Sequence, residues 1–326
     1  MLLQKYMVYD EDGNLRLVLP GSDAATSSKP SVSADDLTII IDNKEPEVPE
    51  QSGMPELPLE PEVTKVSGGV WLSDTPLTDW SAAAQRLPEE TETVCLTVKD
   101  ENGVVYVDSA AAAKLSRRIL SLKGTTEQAV ADLTAEPERK TIAQITCLLD
   151  PKVPILDVRA LGLRQRSGYL YYDDTGASWL DPTKETVRNY LLGLVRDCGE
   201  MGFDEILLTR VAYPSGGDLN TINYGEKSRE ENLVDFLQAV RTALEGQNVR
   251  LSLELPAEVI RQGSDTVTGQ DLRMLAPLVD CIYAETTAAD AAELAELVKA
   301  AAPDTEFVAV VTNAEGITTD YLLKET

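Results

Sequence analysis

Histidine is absent from all 326 residues, so proton transfer in this chain falls to carboxylates, Lys, Tyr or Cys. The same absence removes the commonest zinc ligand and every Ser-His or Cys-His nucleophile pair. Three acids stand at the ends of apolar, β-branched runs: Asp100 after Thr93 to Val98, Glu254 in LSLELPAE, and Glu285 after Cys281 to Ala284. A glutamate whose pKa is raised by burial can donate a proton, and Glu254 is the foremost candidate. A structural reading competes, in which Glu254 pairs with Arg210 from a neighbouring strand end. Lys99 beside Asp100, and Asp157 with Arg159, place further charge at run ends, each pair a candidate to contact a ligand, with a mutual ion pair the other reading of Asp157 and Arg159. Tyr171, Tyr172 and Trp179 gather with Tyr169 around the turn signal Asp173-Asp174-Thr175-Gly176. Such rings suit sugar C–H faces or the hydrophobic cover of a core.

Other chemistries are excluded by composition. Cys95, Cys147, Cys198 and Cys281 lie too far apart for zinc or redox motifs and read as buried free thiols. Asp173, Asp174 and Asp181 lack the spacing of a calcium loop, so neither metal nor cofactor is expected. A formal charge of −26 repels phosphate backbones and anionic membranes, which argues against nucleic acid as a partner. No run reaches the roughly 18 to 20 apolar residues of a membrane span. Met1-Leu2-Leu3 is too short a start for a signal peptide, so a targeting segment is expected outside this numbering.

The elements that must position these side chains are legible as alternation. Residues 1–20 read as a β-hairpin around Asp12-Gly13, and residues 21–65 as an acidic, Pro- and Ser-rich linker with one apolar island, Leu37 to Ile41. Residues 66–326 alternate short β-branched runs with helical stripes, the pattern of βαβ units on a parallel sheet. Strands are expected at Gly69 to Leu72, Thr93 to Val98, Thr141 to Leu149, Glu205 to Val211, Val249 to Leu255, Cys281 to Ala284 and Phe307 to Val311. Helical stripes run through Val187, Tyr190, Leu191, Leu194, Val195 and Cys198, and through Leu233, Phe236, Leu237, Val240 and Leu244. The length matches the ~250 residues of a (β/α)8 TIM-like barrel, with Tyr321 to Lys324 as an abbreviated eighth unit.

Four stretches, in order, resemble a family of glycoside-hydrolase-like barrel domains from bacterial surface and envelope proteins. They are Val98-Lys99-Asp100-Glu101-Asn102-Gly103, GYLYYDDTGASWLDP from Gly168 to Pro182, GFDEILLTRVAYP from Gly202 to Pro214, and Gly269-Gln270-Asp271-Leu272 running into Val279-Asp280. In the third stretch the family reads Gly-Phe-Asp-Glu-Ile-Gln-Phe-Asp-Tyr-Val-Arg-Phe-Pro. Here Thr209 replaces the second Asp, Arg210 the Tyr and Ala212 the Arg, while Tyr213 stands in the Phe slot. Tyr283-Ala284-Glu285-Thr286 departs from the family's Tyr-Pro-Ser-His-Tyr-like segment as well.

The resemblance implies a sugar site at the C-terminal ends of the barrel strands, lined by Lys99, Asp100, Thr209, Arg210 and Tyr213. Hydrolysis normally needs two carboxyl groups, and a threonine serves neither role. Asp204 and Glu205 precede their strand, at the opposite end, where turn chemistry and surface charge are expected of them. The chain therefore reads as a barrel that binds a glycan or supports a cell-surface assembly, outside the cytoplasm, with impaired catalysis. Two alternatives stay open: a hydrolase using Glu254 with Glu285 or Asp100, and a purely structural or protein-binding barrel.

Overall fold

The computed structural model describes residues 7–9, 15–17, 67–72, 87, 91–122, 126–135 and 138–324. The chain divides into two compact units, Met1–Glu62 and Val63–Thr326. In the first, β1 (Met7–Tyr9) pairs antiparallel with β2 (Leu15–Leu17), Val8 opposite Arg16, in the expected hairpin. The linker and its island at 37–41 lie outside the described residues.

The second unit is a closed barrel of eight parallel strands. These are β3 (Gly68–Leu72), β4 (Thr93–Lys99), β5 (Lys140–Thr146), β6 (Glu205–Thr209), β7 (Arg250–Glu254), β10 (Cys281–Glu285), β11 (Glu306–Val311) and β12 (Tyr321–Lys324). They neighbour one another in that order, and β12 pairs with β3 to close the ring, Leu323 opposite Val70. A small antiparallel pair, β8 (Ser264–Asp265) with β9 (Gln270–Asp271), sits between β7 and β10. Residues that alternate inward form one interior cluster of Trp71, Cys95, Ile142, Leu207, Cys281, Tyr283, Val310 and Leu322. Residues of the opposite parity join the larger core between strands and helices.

The two helical stripes form as the periodicity predicts. Helix α1 (Glu185–Glu200) buries Val187, Tyr190, Leu191, Leu194, Val195 and Cys198. Helix α2 (Arg229–Ala243) starts at a capping box, Ser228 accepting from the Glu231 N–H while Glu231 accepts from the Ser228 N–H. Helix α3 (Ala288–Ala301) packs Ala291, Leu294 and Val298 inward. Between β11 and β12 there is only a loop, so the last unit is abbreviated although its strand is complete.

Two strands end earlier than their apolar runs. β6 stops at Thr209 because Arg210 adopts a left-handed backbone, φ 52, which a strand cannot continue through. β5 stops at Thr146, and the chain beyond it rises into an insertion where Leu149 bridges Trp179 antiparallel. Within that insertion Tyr172 pairs with Ser178 across the Asp173–Gly176 turn, closing a hairpin on the turn signal.

Candidate functional site

Since β6 and β7 are adjacent and β10 follows β7, Thr209, Glu254 and Glu285 all reach the same rim. Together with the loops after β4, β5 and β6 they enclose a cleft of about 1100 Å³. Its aromatic lining comes from Trp71, Tyr106, Trp179 and Tyr213. Where the resemblance calls for an aspartate, Thr209 sits in a neutral network. Gln144 donates its Nε2 to the Thr209 hydroxyl at 2.7 Å and to the Thr146 hydroxyl at 3.1 Å, and the two hydroxyls lie 3.3 Å apart. All three residues are buried, so the amide and hydroxyls satisfy one another at the site's floor.

Glu254 behaves differently. It has neither a hydrogen bond nor an ion pair among the described residues. The residue is partly buried, but its carboxyl is enclosed by protein on nearly all sides. Burial pushes its pKa up from 4.5 to about 7; Glu285 pushes the same way, while Arg210 and Lys324 oppose. The expected pairing of Glu254 with Arg210 does not form. Arg210 instead sends its Nε and one Nη to a single oxygen of Glu101, each at 2.8 Å. Glu285 is exposed and paired with Lys324, whose ammonium also lies 4.8 Å from the centre of the Trp71 ring.

The remaining expected residues scatter. Asp100 lines the cleft, but its carboxylate accepts from the N–H groups of Asn102 and Val104 and from the Tyr106 hydroxyl, so it is committed to its own loop. Lys99 does not line the mouth: it is wholly buried, 3.0 Å from Asp150, and donates to the Thr146 carbonyl at 2.7 Å. Asp157 and Arg159 form no ion pair; Asp157 accepts the backbone N–H groups of Arg159 and Ala160, closing a turn away from the cleft. Tyr171 is buried with its hydroxyl on the Gly216 carbonyl, and Tyr172 is half-exposed outside the cleft. Trp179 is both packed and lining, its indole N–H donating to Asp173 at 2.9 Å.

At the opposite barrel end Asp204 accepts from the N–H and hydroxyl of Thr141, the expected turn chemistry. Glu205 is no surface charge. It is completely buried inside the barrel, accepting from Ser252 at 2.5 Å and Tyr283 at 2.7 Å, with Lys140 2.5 Å away.

Four residues that matter at the rim were not among the candidates: Glu101, Gln144, Thr146 and Lys324. Gln144 and Thr146 were findable, because a strand with two polar residues at period two inside an apolar run is carrying them to one face. No described helix is long and apolar enough to cross a membrane. Among the described residues no group of three or more acids and cysteines is arranged to hold a metal ion.

The described residues form a (β/α)8 barrel whose rim cleft is lined by aromatics and acids. A sequence model of the "putative glycosyl hydrolase domain" family matches residues 81–286, well over half of the 326. The chain belongs to that family. Solved structures of similar fold include a hypothetical protein from Ruminiclostridium thermocellum, at 23% identity over 57% of this chain and 96% of that one, TM-score 0.45. Ega3 from Aspergillus fumigatus, in complex with galactosamine, matches at 14% identity over 76% and 75%, TM-score 0.41. The glycoside hydrolase domain of PgaB from Bordetella bronchiseptica matches at 12% over 68% and 74%, TM-score 0.46. No match was found among curated proteins.

Proposed function

We propose that this protein is an extracytoplasmic barrel that binds a glycan or supports a cell-surface assembly, and in which hydrolysis is impaired. The observation that carries the reading is the neutral Gln144–Thr146–Thr209 network, which occupies the strand end where the family's aspartate is expected. Of the acids that line the rim, Asp100 is committed to its loop and Glu285 to Lys324, which leaves Glu254 without an obvious carboxylate partner. Trp71, Trp179 and Tyr213 contribute apolar atoms to the cleft wall, each a packed side chain with under a tenth of its surface open. The location outside the cytoplasm rests on the resemblance to envelope domains.

One observation favours a second reading, a hydrolase with Glu254 as acid and Glu285 as base. The two carboxyls have opposite environments: Glu254 is raised to about 7, whereas Glu285 is exposed beside an ammonium. Divergent environments are how acid and base roles are divided between two carboxyls. Glycan arrays and chromogenic glycosides, applied to wild type and to Glu254→Gln, separate the readings. Binding without turnover supports the first; turnover that Glu254→Gln abolishes overturns it.

A further inference from the structure

The ionisable lining of the cleft is lopsided. Among the described residues, Asp100, Glu101, Glu254, Glu258, Asp265 and Glu285 face it, against only Arg210 and Lys324. Both cations are already matched, Arg210 by Glu101 and Lys324 by Glu285. Asp265 accepts from the Val267 N–H and the Thr268 hydroxyl, and Glu258 accepts from Gln262. An anionic ligand would therefore meet two cations whose charge is already balanced, with four further acids around the same cleft. A neutral ligand would leave the enclosed Glu254 carboxyl without a countercharge. Trp71 lines the cleft at 5% exposure, and its wholly covered indole N–H has no acceptor among the described residues.

Resting on the saccharide-binding reading above, we propose that the cleft selects a sugar carrying a free, protonated amine, with the ammonium placed against Glu254. Charge-assisted contact with an enclosed carboxylate is what such an amine gains here and its N-acetylated counterpart cannot. Arg210, Lys324, Glu101 and Glu285 are the charged groups acting on Glu254. Since burial holds its pKa near 7, an ammonium that draws out the carboxylate makes binding at neutral pH release a proton.

The test is calorimetric titration of the full chain with short glucosamine and galactosamine oligomers and with their N-acetylated forms, near pH 7 in two buffers of different ionisation enthalpy. The expected result is at least a roughly ten-fold preference for the free-amine oligomer, the worth of one charge-assisted bond, together with proton release. Glu254→Gln should reduce that preference to within about two-fold, while Glu254→Asp retains part of it by keeping the charge. Glu296→Gln, which removes one exposed helix charge outside the cleft, controls for bulk attraction to an acidic protein and should leave the preference unchanged. Equal binding of amine and N-acetyl forms overturns the inference and leaves the saccharide reading standing. A preference indifferent to Glu254→Gln overturns it as bulk attraction. Failure of every oligomer in a panel that includes neutral glycans removes the saccharide reading itself.

Discussion

Glu254 couples the cleft to the stability of the barrel. Its folded pKa, about 7, exceeds the ordinary 4.5, so the folded chain holds this proton more tightly than the unfolded chain does. The resulting stabilisation is complete below about pH 4.5, declines as pH rises and is gone above about 7. A shift of this size corresponds to about 3 kcal/mol, reduced to about 2 kcal/mol by solvent screening of a residue that is not fully buried. Glu254→Gln should therefore be more stable than wild type at pH 8 by about 2 kcal/mol, a difference that vanishes near pH 4. Urea midpoints at the two pH values measure it; a variant equal to wild type at both would mean Glu254 titrates normally. The neighbouring Thr209 makes a complementary case. Thr209→Asp returns a carboxylate to a buried site where the Gln144 amide can donate to it, at a cost of about 1–3 kcal/mol. The variant is expected to gain turnover on chromogenic glycosides over wild type, and background rates in both would show that more than this carboxylate separates the fold from hydrolysis.

The ends of β4 and β5 are fastened by a device the sequence disguised. Lys99 and Asp150 form a completely buried ion pair, and Asp150 also accepts the N–H groups of Lys152 and Val153. Gly103 adopts φ 73 and packs so closely that a Cβ there would lie 2.3 Å from the Asp150 carboxylate. Lys99, Asp100 and Gly103, within one of the four stretches that carry the resemblance, are thus a loop-building set that presents Glu101 to Arg210. Removing one buried partner strands the other, so Lys99→Met should cost about 3–5 kcal/mol in urea unfolding, and adding Asp150→Leu should recover part of that loss. A loss under about 1 kcal/mol would place the pair in solvent. Strand and helix identities were legible because β-branched runs and 3.6-residue stripes dominate them. Strand ends were not: Cys147, Leu148 and Val211 continue the apolar runs while lying in buried connections. Nothing in the identity of Arg210 announces a left-handed backbone. Lys99 and Glu205 misled for one shared reason, since a charged residue at a strand end reads as solvated until its partners, distant in sequence, are brought beside it.

As a whole, the barrel owes its closure to contacts within Val63–Thr326. Those residues expressed alone should fold and melt within about 2–4 °C of the full chain, the effect of roughly 1 kcal/mol in a domain of this size. A larger loss would mean that the first 62 residues contribute to the barrel's stability. The four buried thiols allow the opening of that barrel to be followed in stages. Cys95 and Cys281 belong to the cluster inside the ring of strands, whereas Cys147 and Cys198 lie in the layer between strands and helices. Burial raises all four thiol pKa values, so none reacts while covered. Alkylation under native conditions consequently times exposure, with helix undocking marked by Cys147 and Cys198 and rupture of the strand ring by Cys95 and Cys281. If the helices peel away first, the outer pair is modified faster than the inner; one common rate for all four would make the barrel a single cooperative unit, its own two-speed stopwatch reduced to one hand.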